Sequence, residues 1–197
     1  MSRGKTLLSV AITAAALGCA AAFYFDAGVI SWVASHQDAG LRRAMKAVSR
    51  WGDWPLHVTL GLAAAGIAYL GGSRRWMRIF LTMVVACAIA GGFARVVKIS
   101  TGRARPSVQT DAGWNGPRLG SKHHAFPSGH VAASSAFFGV LTFACWRAGA
   151  ALLLIPGLIA FSRMYIGAHH FSDVVCAAVL GLICAWLVSR SRLIPVE

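Results

Sequence analysis

His123-His124-Ala125-Phe126-Pro127-Ser128-Gly129-His130 stands directly ahead of a long apolar run, Val131 to Trp146. Proline and serine suit the first turn of a helix, where backbone N–H groups lack partners. Those free N–H groups make a helix start a good anion site. Glycine lets a ligand come close to the backbone, and a histidine one step further in can move a proton near neutral pH. Pro127 to His130 therefore reads in two ways. It is a phosphate-sized anion site with an acid or base attached, or it is a capped membrane helix with a stray histidine. The rest of the chain decides between them.

The 197 residues are 57% hydrophobic and only 13% charged, far from an ordinary soluble domain. Apolar residues come in blocks of membrane-spanning length, which predicts one all-α, polytopic membrane domain over residues 1–197. The formal charge of +13 then suits anionic headgroups and phosphate-bearing substrates. Basic residues flank the apolar blocks and form no single stripe, which argues against a nucleic-acid partner. Cys19, Cys87, Cys145, Cys176 and Cys184 all lie in apolar blocks without a CxxC pair. They read as small buried hydrophobes, not a zinc or redox framework.

Six spans are predicted. Leu7 to about Phe25 is the first; Ala20-Ala21-Ala22 resembles a signal cleavage site, but the run is long for a signal peptide. Asp26 to Trp54 reads as a polar connection. Within it Leu41, Met45 and Val48 share one helical face, with Arg42, Arg43, Lys46 and Arg50 between and after them. That pattern fits either a surface-lying amphipathic helix or a solvated loop helix. The remaining spans are Pro55 to Gly72, Ile79 to about Val97, Ser128 to Trp146, Ala148 to about Tyr165 and Phe171 to Val188, with Pro156 able to kink the fifth. An even number of spans puts both termini on one side. Arg3, Lys5, Arg74, Arg75, Arg78, Arg147, Arg190 and Arg192 mark that side as cytoplasmic. The positive segments Arg42 to Arg50 and Arg103 to Lys122 fall on the opposite side and break the rule. For the second, a substrate supplies a reason.

One membrane thickness back from Arg147 reaches His130, and one forward reaches Arg163, each about 25 Å away at ~1.5 Å per residue. The same measure from Arg190 reaches Asp173, and from Arg78 reaches Lys98. These residues should meet near the outer face, where a lipid phosphate sits. Ionisable groups at such depth are costly and point to function. Lys98, Arg105 and Arg163 are cations that a phosphate would hold together. His169 and Asp173 are four apart; if the last helix begins before His169, the carboxylate can orient the ring and leave one nitrogen free to attack. His130 would be the general acid. A metal held by His123, His124, His130, His169 and Asp173 would lack a fixed ligand spacing and would sit among three cations, so neither a metal nor a cofactor is expected.

Lys98-(six residues)-Arg105-Pro106, then Pro127-Ser128-Gly129-His130, then Ser162-Arg163-(five residues)-His169-(three residues)-Asp173 resembles the three-part signature of type 2 phosphatidic acid phosphatases. Every signature position from 98 to 173 is filled. The resemblance implies a metal-independent lipid phosphatase in which His169 forms a phosphohistidine and Asp173 orients it. Lys98, Arg105, Ser128, Gly129 and Arg163 would hold the phosphate oxygens. His130 would protonate the leaving oxygen and then activate water. Lipid substrates would enter sideways from the bilayer.

The expectation is thus an integral inner-membrane enzyme, both termini cytoplasmic, its active site periplasmic, its partners the bilayer and a lipid phosphate, with no obligate protein partner. Undecaprenyl diphosphate is the first substrate expected. Phosphatidylglycerol phosphate, phosphatidic acid, lipid A 1-phosphate and a phosphotransferase reaction stay open. A lipid-binding or transport protein that keeps the fold is the non-enzymatic alternative. The loop Ser107 to Phe126, with Trp114, Arg118 and Lys122, is expected to influence headgroup choice.

Overall fold

The computed structural model describes residues 3–108 and 113–191. Arg192 and loop residues 109–112 lie outside that range. Eight α-helices make up the described fold: α1 Arg3–Ser35, α2 Ala39–Arg50, α3 Trp54–Leu70, α4 Arg74–Thr101, α5 Gly129–Ala144, α6 Trp146–Leu152, α7 Leu154–Tyr165 and α8 Phe171–Arg190. Four stretches are long and apolar enough to cross a membrane: Gly4–Ser35, Arg74–Thr101, Trp146–Tyr165 and Phe171–Arg190. The helices Trp54–Leu70 and Gly129–Ala144 are apolar but shorter.

α5 is the centre. Nearly all its residues from Val131 to Leu141 are buried, packed between α4 and α8. α4 turns Ile79, Met83, Ala86, Cys87, Ala90 and Ala94 inward, a stripe at helical spacing. α8 answers with Val174, Ala177, Gly181, Cys184, Ala185 and Val188. Small residues dominate this seam because apolar helices gain by close approach when lipid tails compete for every apolar surface. At Gly181 a Cβ would stand 2.5 Å from the Ala132 carbonyl and 2.9 Å from the Ala136 amide. The two backbones therefore touch there.

Several sequence expectations change. α1 does not end at Phe25 but runs to Ser35. Asp26, read as the start of a polar connection, is a buried helical residue whose charge is paired. α2 is capped by Asp38, whose side chain accepts from the Leu41 amide at 2.7 Å. Its Met45 is buried with Val33 and Tyr165, and Val48 packs beside them. Arg42, Arg43, Lys46 and Arg50 stay exposed. α2 is thus a packed amphipathic helix, anchored on α1 and α7. The fifth segment divides at Leu153, and Pro156 falls in the first turn of α7, where its missing N–H costs no helical bond. Cys145, expected to be buried, is exposed at the junction of α5 and α6.

Gly181→Val would force α5 and α8 apart. Overpacking of this kind costs about 1–3 kcal/mol, and the expected result is a lower melting midpoint in detergent than for the wild type.

Candidate active site

α8 opens at Phe171, two residues after His169, so the nucleophile candidate lies in the turn ahead of the helix and not within it. The Asp173 side chain still reaches back. Its Oδ2 accepts from the His170 amide at 2.8 Å and caps the helix start. The same oxygen lies 3.1 Å from His170 Nδ1 and 3.5 Å from His169 Nδ1. The nearest acceptor for His169 Nδ1 is the Ala125 carbonyl at 2.7 Å. With its proton on Nδ1, the ring donates to that carbonyl and keeps the Nε2 lone pair free. The sequence missed this acceptor because a backbone carbonyl carries no residue signature. His170 shares Asp173 with His169.

Burial is the main influence on His169 and lowers its pKa to about 4; hydrogen bonding to Asp173 opposes the shift, and the charge of Lys98 adds to it. The ring is therefore neutral, and able to attack, at physiological pH.

Around it the expected phosphate-holding residues draw together. The Lys98 ammonium stands 3.5 Å from where a Gly129 Cβ would be. Lys98, Arg105, Arg163 and His169 all lie within electrostatic reach of His130. Burial pulls the Arg105 pKa down while the Asp173 carboxylate opposes that. Arg163 gives Nη1 to Ser49 Oγ at 2.7 Å, which ties α2 to the site. Ser128 occupies the position before α5 yet does not cap it. Its fully buried Oγ has no hydrogen-bond partner among the described residues, and neither do Arg105 Nε and Arg163 Nε. Orphaned buried polar atoms are expensive, and such a group of them around one histidine suits an anion.

His130 Nε2 lies 2.8 Å from Asp53 Oδ1, a partner the sequence did not suggest. Gly52 lets that pair form, since a Cβ there would come within 3.1 Å of the His130 Cβ. Beside His130 opens a cavity of about 640 Å³, lined by Asp53, Trp54, Gly91, Gly92, Arg95 and Lys98 among others. The paired glycines of α4 leave the room. On the other side, a cavity of about 250 Å³ reaches His169 between α1, α2 and the turn before α8.

Arg103 belongs to the positive segment for which a substrate was the expected reason, but its charge is met inside the protein. It is buried and spans two carboxylates, Asp26 at 2.6 Å and Asp173 at 2.6 Å. Trp114, in the loop expected to influence headgroup choice, stands over the Arg103 guanidinium at 4.9 Å and packs against Phe23 and Phe126. Arg118 and Lys122 are exposed. His124 is buried, its Nε2 2.8 Å from the Arg118 carbonyl. His57 is also buried, against Phe137 and Phe138. Among the described residues no three His, Cys, Asp or Glu side chains gather in a way that could hold a metal ion.

Fold and site define the class, a helical membrane phosphatase. The chain belongs to the PAP2 superfamily, whose sequence profile matches residues 79–194. A lipid A 1-phosphatase of Rhizobium etli is 28% identical over 195 residues, covering 91% of this chain and 81% of that protein. A lipid A 1-phosphatase of Rhizobium johnstonii is 32% identical over 114 residues, covering 56% of this chain and 45% of that protein. In fold, the chain is similar to a transmembrane PAP2-type phosphatidylglycerolphosphate phosphatase from Bacillus subtilis, with a TM-score of 0.68 and 19% identity over 92% of this chain and 96% of that one. It is also similar to Aquifex aeolicus LpxE, with a TM-score of 0.61 and 16% identity over 85% of this chain and 96% of that one. With these relatives the chain is a membrane lipid phosphatase.

The depressed pKa of His169 has a consequence for stability. On acidification the unfolded chain takes up this proton near the ordinary value of 6.5, the folded chain only near about 4. Between those values the unfolded state binds more protons, so stability falls as pH falls. The wild type should therefore lose melting temperature more steeply across that window than His169→Gln, measured in detergent. Parallel curves would contradict the assignment.

Proposed function

We propose that the protein hydrolyses the terminal phosphate of a membrane lipid through a phosphohistidine on His169. The His169 Nε2 lone pair attacks phosphorus as the bond from phosphorus to the lipid oxygen breaks. The leaving oxygen keeps that electron pair and takes a proton from His130. Water then attacks the phosphohistidine, gives its proton to His130 and releases inorganic phosphate, which restores both histidines. Lys98, Arg105, Arg163, the Ser128 hydroxyl and the Gly129 amide hold the three equatorial oxygens, where charge shifts in the transition state. Asp173 and the Ala125 carbonyl keep the ring in the attacking tautomer. Asp53 fixes the direction of the His130 ring.

The observation that carries this reading is the set of buried, unpartnered donors, Arg105 Nε, Arg163 Nε and Ser128 Oγ, in a site that also holds a neutral, oriented histidine. Anion binding alone would need the donors. The oriented ring is needed only for chemistry at phosphorus.

In the bilayer, the single domain crosses six times, with α3 and α5 as the two shorter crossings and α6 with α7 as one. At about 1.5 Å per residue α3 and α5 span roughly 25 Å, which tilting neighbours and local thinning accommodate. Both termini face the cytoplasm of the inner membrane and the site faces outward. The cavity beside His130 lies on the leaving-group side, and its small-residue wall on α4 admits the lipid from the membrane.

For the substrate, the similarity to proteins named lipid A 1-phosphatase favours lipid A 1-phosphate over undecaprenyl diphosphate. The test is phosphate release from lipid A 1-phosphate, undecaprenyl diphosphate, phosphatidylglycerol phosphate and phosphatidic acid, in detergent with chelator present. Fastest release from lipid A 1-phosphate, abolished in His169→Ala, is expected. Trapped radiolabel on His169 after acid-free quenching would report the covalent intermediate. Activity that survives His169→Ala would sink the mechanism, and a different preferred lipid would replace the substrate.

A further inference from the structure

We propose that Asp26 and Arg103 are positioning residues for the reaction, acting on His169 through Asp173. The inference rests on the phosphohistidine reading above.

Arg103 grips Asp173 by one oxygen only. Its Nη1 donates to Oδ1 at 2.6 Å, which leaves Oδ2 to the His170 amide and the two histidine rings. The carboxylate therefore cannot rotate to present the other oxygen. Asp26 fixes Arg103 in turn, accepting from its Nη2 at 2.6 Å. Ser172 closes the set. Its amide donates to Asp26 Oδ1 at 2.8 Å, its hydroxyl donates to Asp26 Oδ2 at 2.6 Å and accepts from Arg103 Nη1 at 2.6 Å. Phe23 and Trp114 stand over the guanidinium at 5.3 and 4.9 Å. Asp26, Arg103, Ser172 and Asp173 are all buried, so the polar groups have few other partners and their geometry is held.

Charge gives the arrangement a purpose beyond fixing shape. When His169 Nε2 bonds to phosphorus while Nδ1 keeps its proton, the imidazole becomes cationic. Asp173 must supply the matching negative charge. Arg103 alone would cancel it. Asp26 offsets Arg103 while leaving its grip intact, so the trio presents one net negative charge to the ring. None of these groups belongs to the set proposed to hold the phosphate. Loss of Asp26 should therefore slow phosphohistidine formation and spare phosphate binding.

The test uses the full chain in detergent with the lipid that the wild type turns over fastest, and inorganic phosphate as product inhibitor. Asp26→Asn, an isosteric change, should lower kcat by about 10- to 100-fold, the scale on which outer partners of reactive groups act. KM and the inhibition constant for phosphate should stay within about twofold. Asp26→Glu, which keeps the charge, should recover part of the loss. The double variant Asp26→Asn with Arg103→Gln should be no slower than Arg103→Gln alone, because Asp26 acts through Arg103. A kcat within about twofold of wild type in Asp26→Asn, additive losses in the double variant, or weaker phosphate inhibition in step with kcat would each overturn the proposal. The last of these, with a lowered melting midpoint, would make the network a structural anchor only. Undiminished activity in His169→Ala would instead remove the reading on which the proposal rests.

Discussion

The Ser128 amide donates to the Asp173 carbonyl at 3.1 Å, and through that bond the first turns of α5 and α8 start side by side. Further along, Gly181 brings the same two helices into backbone contact. A polar bond at one end and a glycine contact in the middle fix both the spacing and the register of the pair. Residues distant in sequence, His130 at the head of α5 and His169 just ahead of α8, are thereby brought within electrostatic reach of each other at one end of the bundle. α4 brings Lys98 to the same end because its own inward stripe packs on α5. The chemistry is assembled by helix register, and this explains why so much of the seam is alanine and glycine.

Each ring is then supported from behind. His169 rests on a carbonyl and a carboxylate, His130 on the carboxylate of Asp53. The cations are held differently. Arg163 uses one nitrogen on Ser49 and leaves another unpartnered, whereas Arg103 is fully engaged by two carboxylates and two aromatic rings. Neighbouring arginines, Arg103 and Arg105, thus have opposite tasks. One holds two carboxylates, and the other keeps a buried Nε without a partner among the described residues.

The sequence made the signature residues legible because each sits at a fixed spacing beside a helix end, and helix length alone brings the ends together. The amphipathic pattern at Leu41, Met45 and Val48 likewise foretold α2. Other features were hidden for physical reasons. Asp26 looked like the end of a span because a carboxylate in an apolar run normally costs too much; its partner stands at position 103, beyond any local pattern. Arg103, in the positive segment that a substrate was expected to explain, hid its pairing for the same reason. The Ala125 carbonyl carries no side-chain signal. His169 and Asp173, four apart, would form a helical pair only if the last helix began before His169; it begins at Phe171, where the predicted span does, and the turn ahead of it places the ring near Asp173 by another route. The division at Leu153 was half legible, in that Pro156 marked the region but not the residue where the helix stops.

α1 has almost no buried surface in its most apolar window, 6%, and yet it contributes Asp26 to the interior. This helix is synthesised before the residues that hold its carboxylate, Arg103 after α4 and Ser172 with α8. During biogenesis Asp26 must wait in the headgroup layer or stay hydrated until α8 is threaded. Closure of the helical bundle and completion of the carboxylate pair then become a single event, and a chain stalled before α8 would hold neither a finished bundle nor Asp173 beside His169.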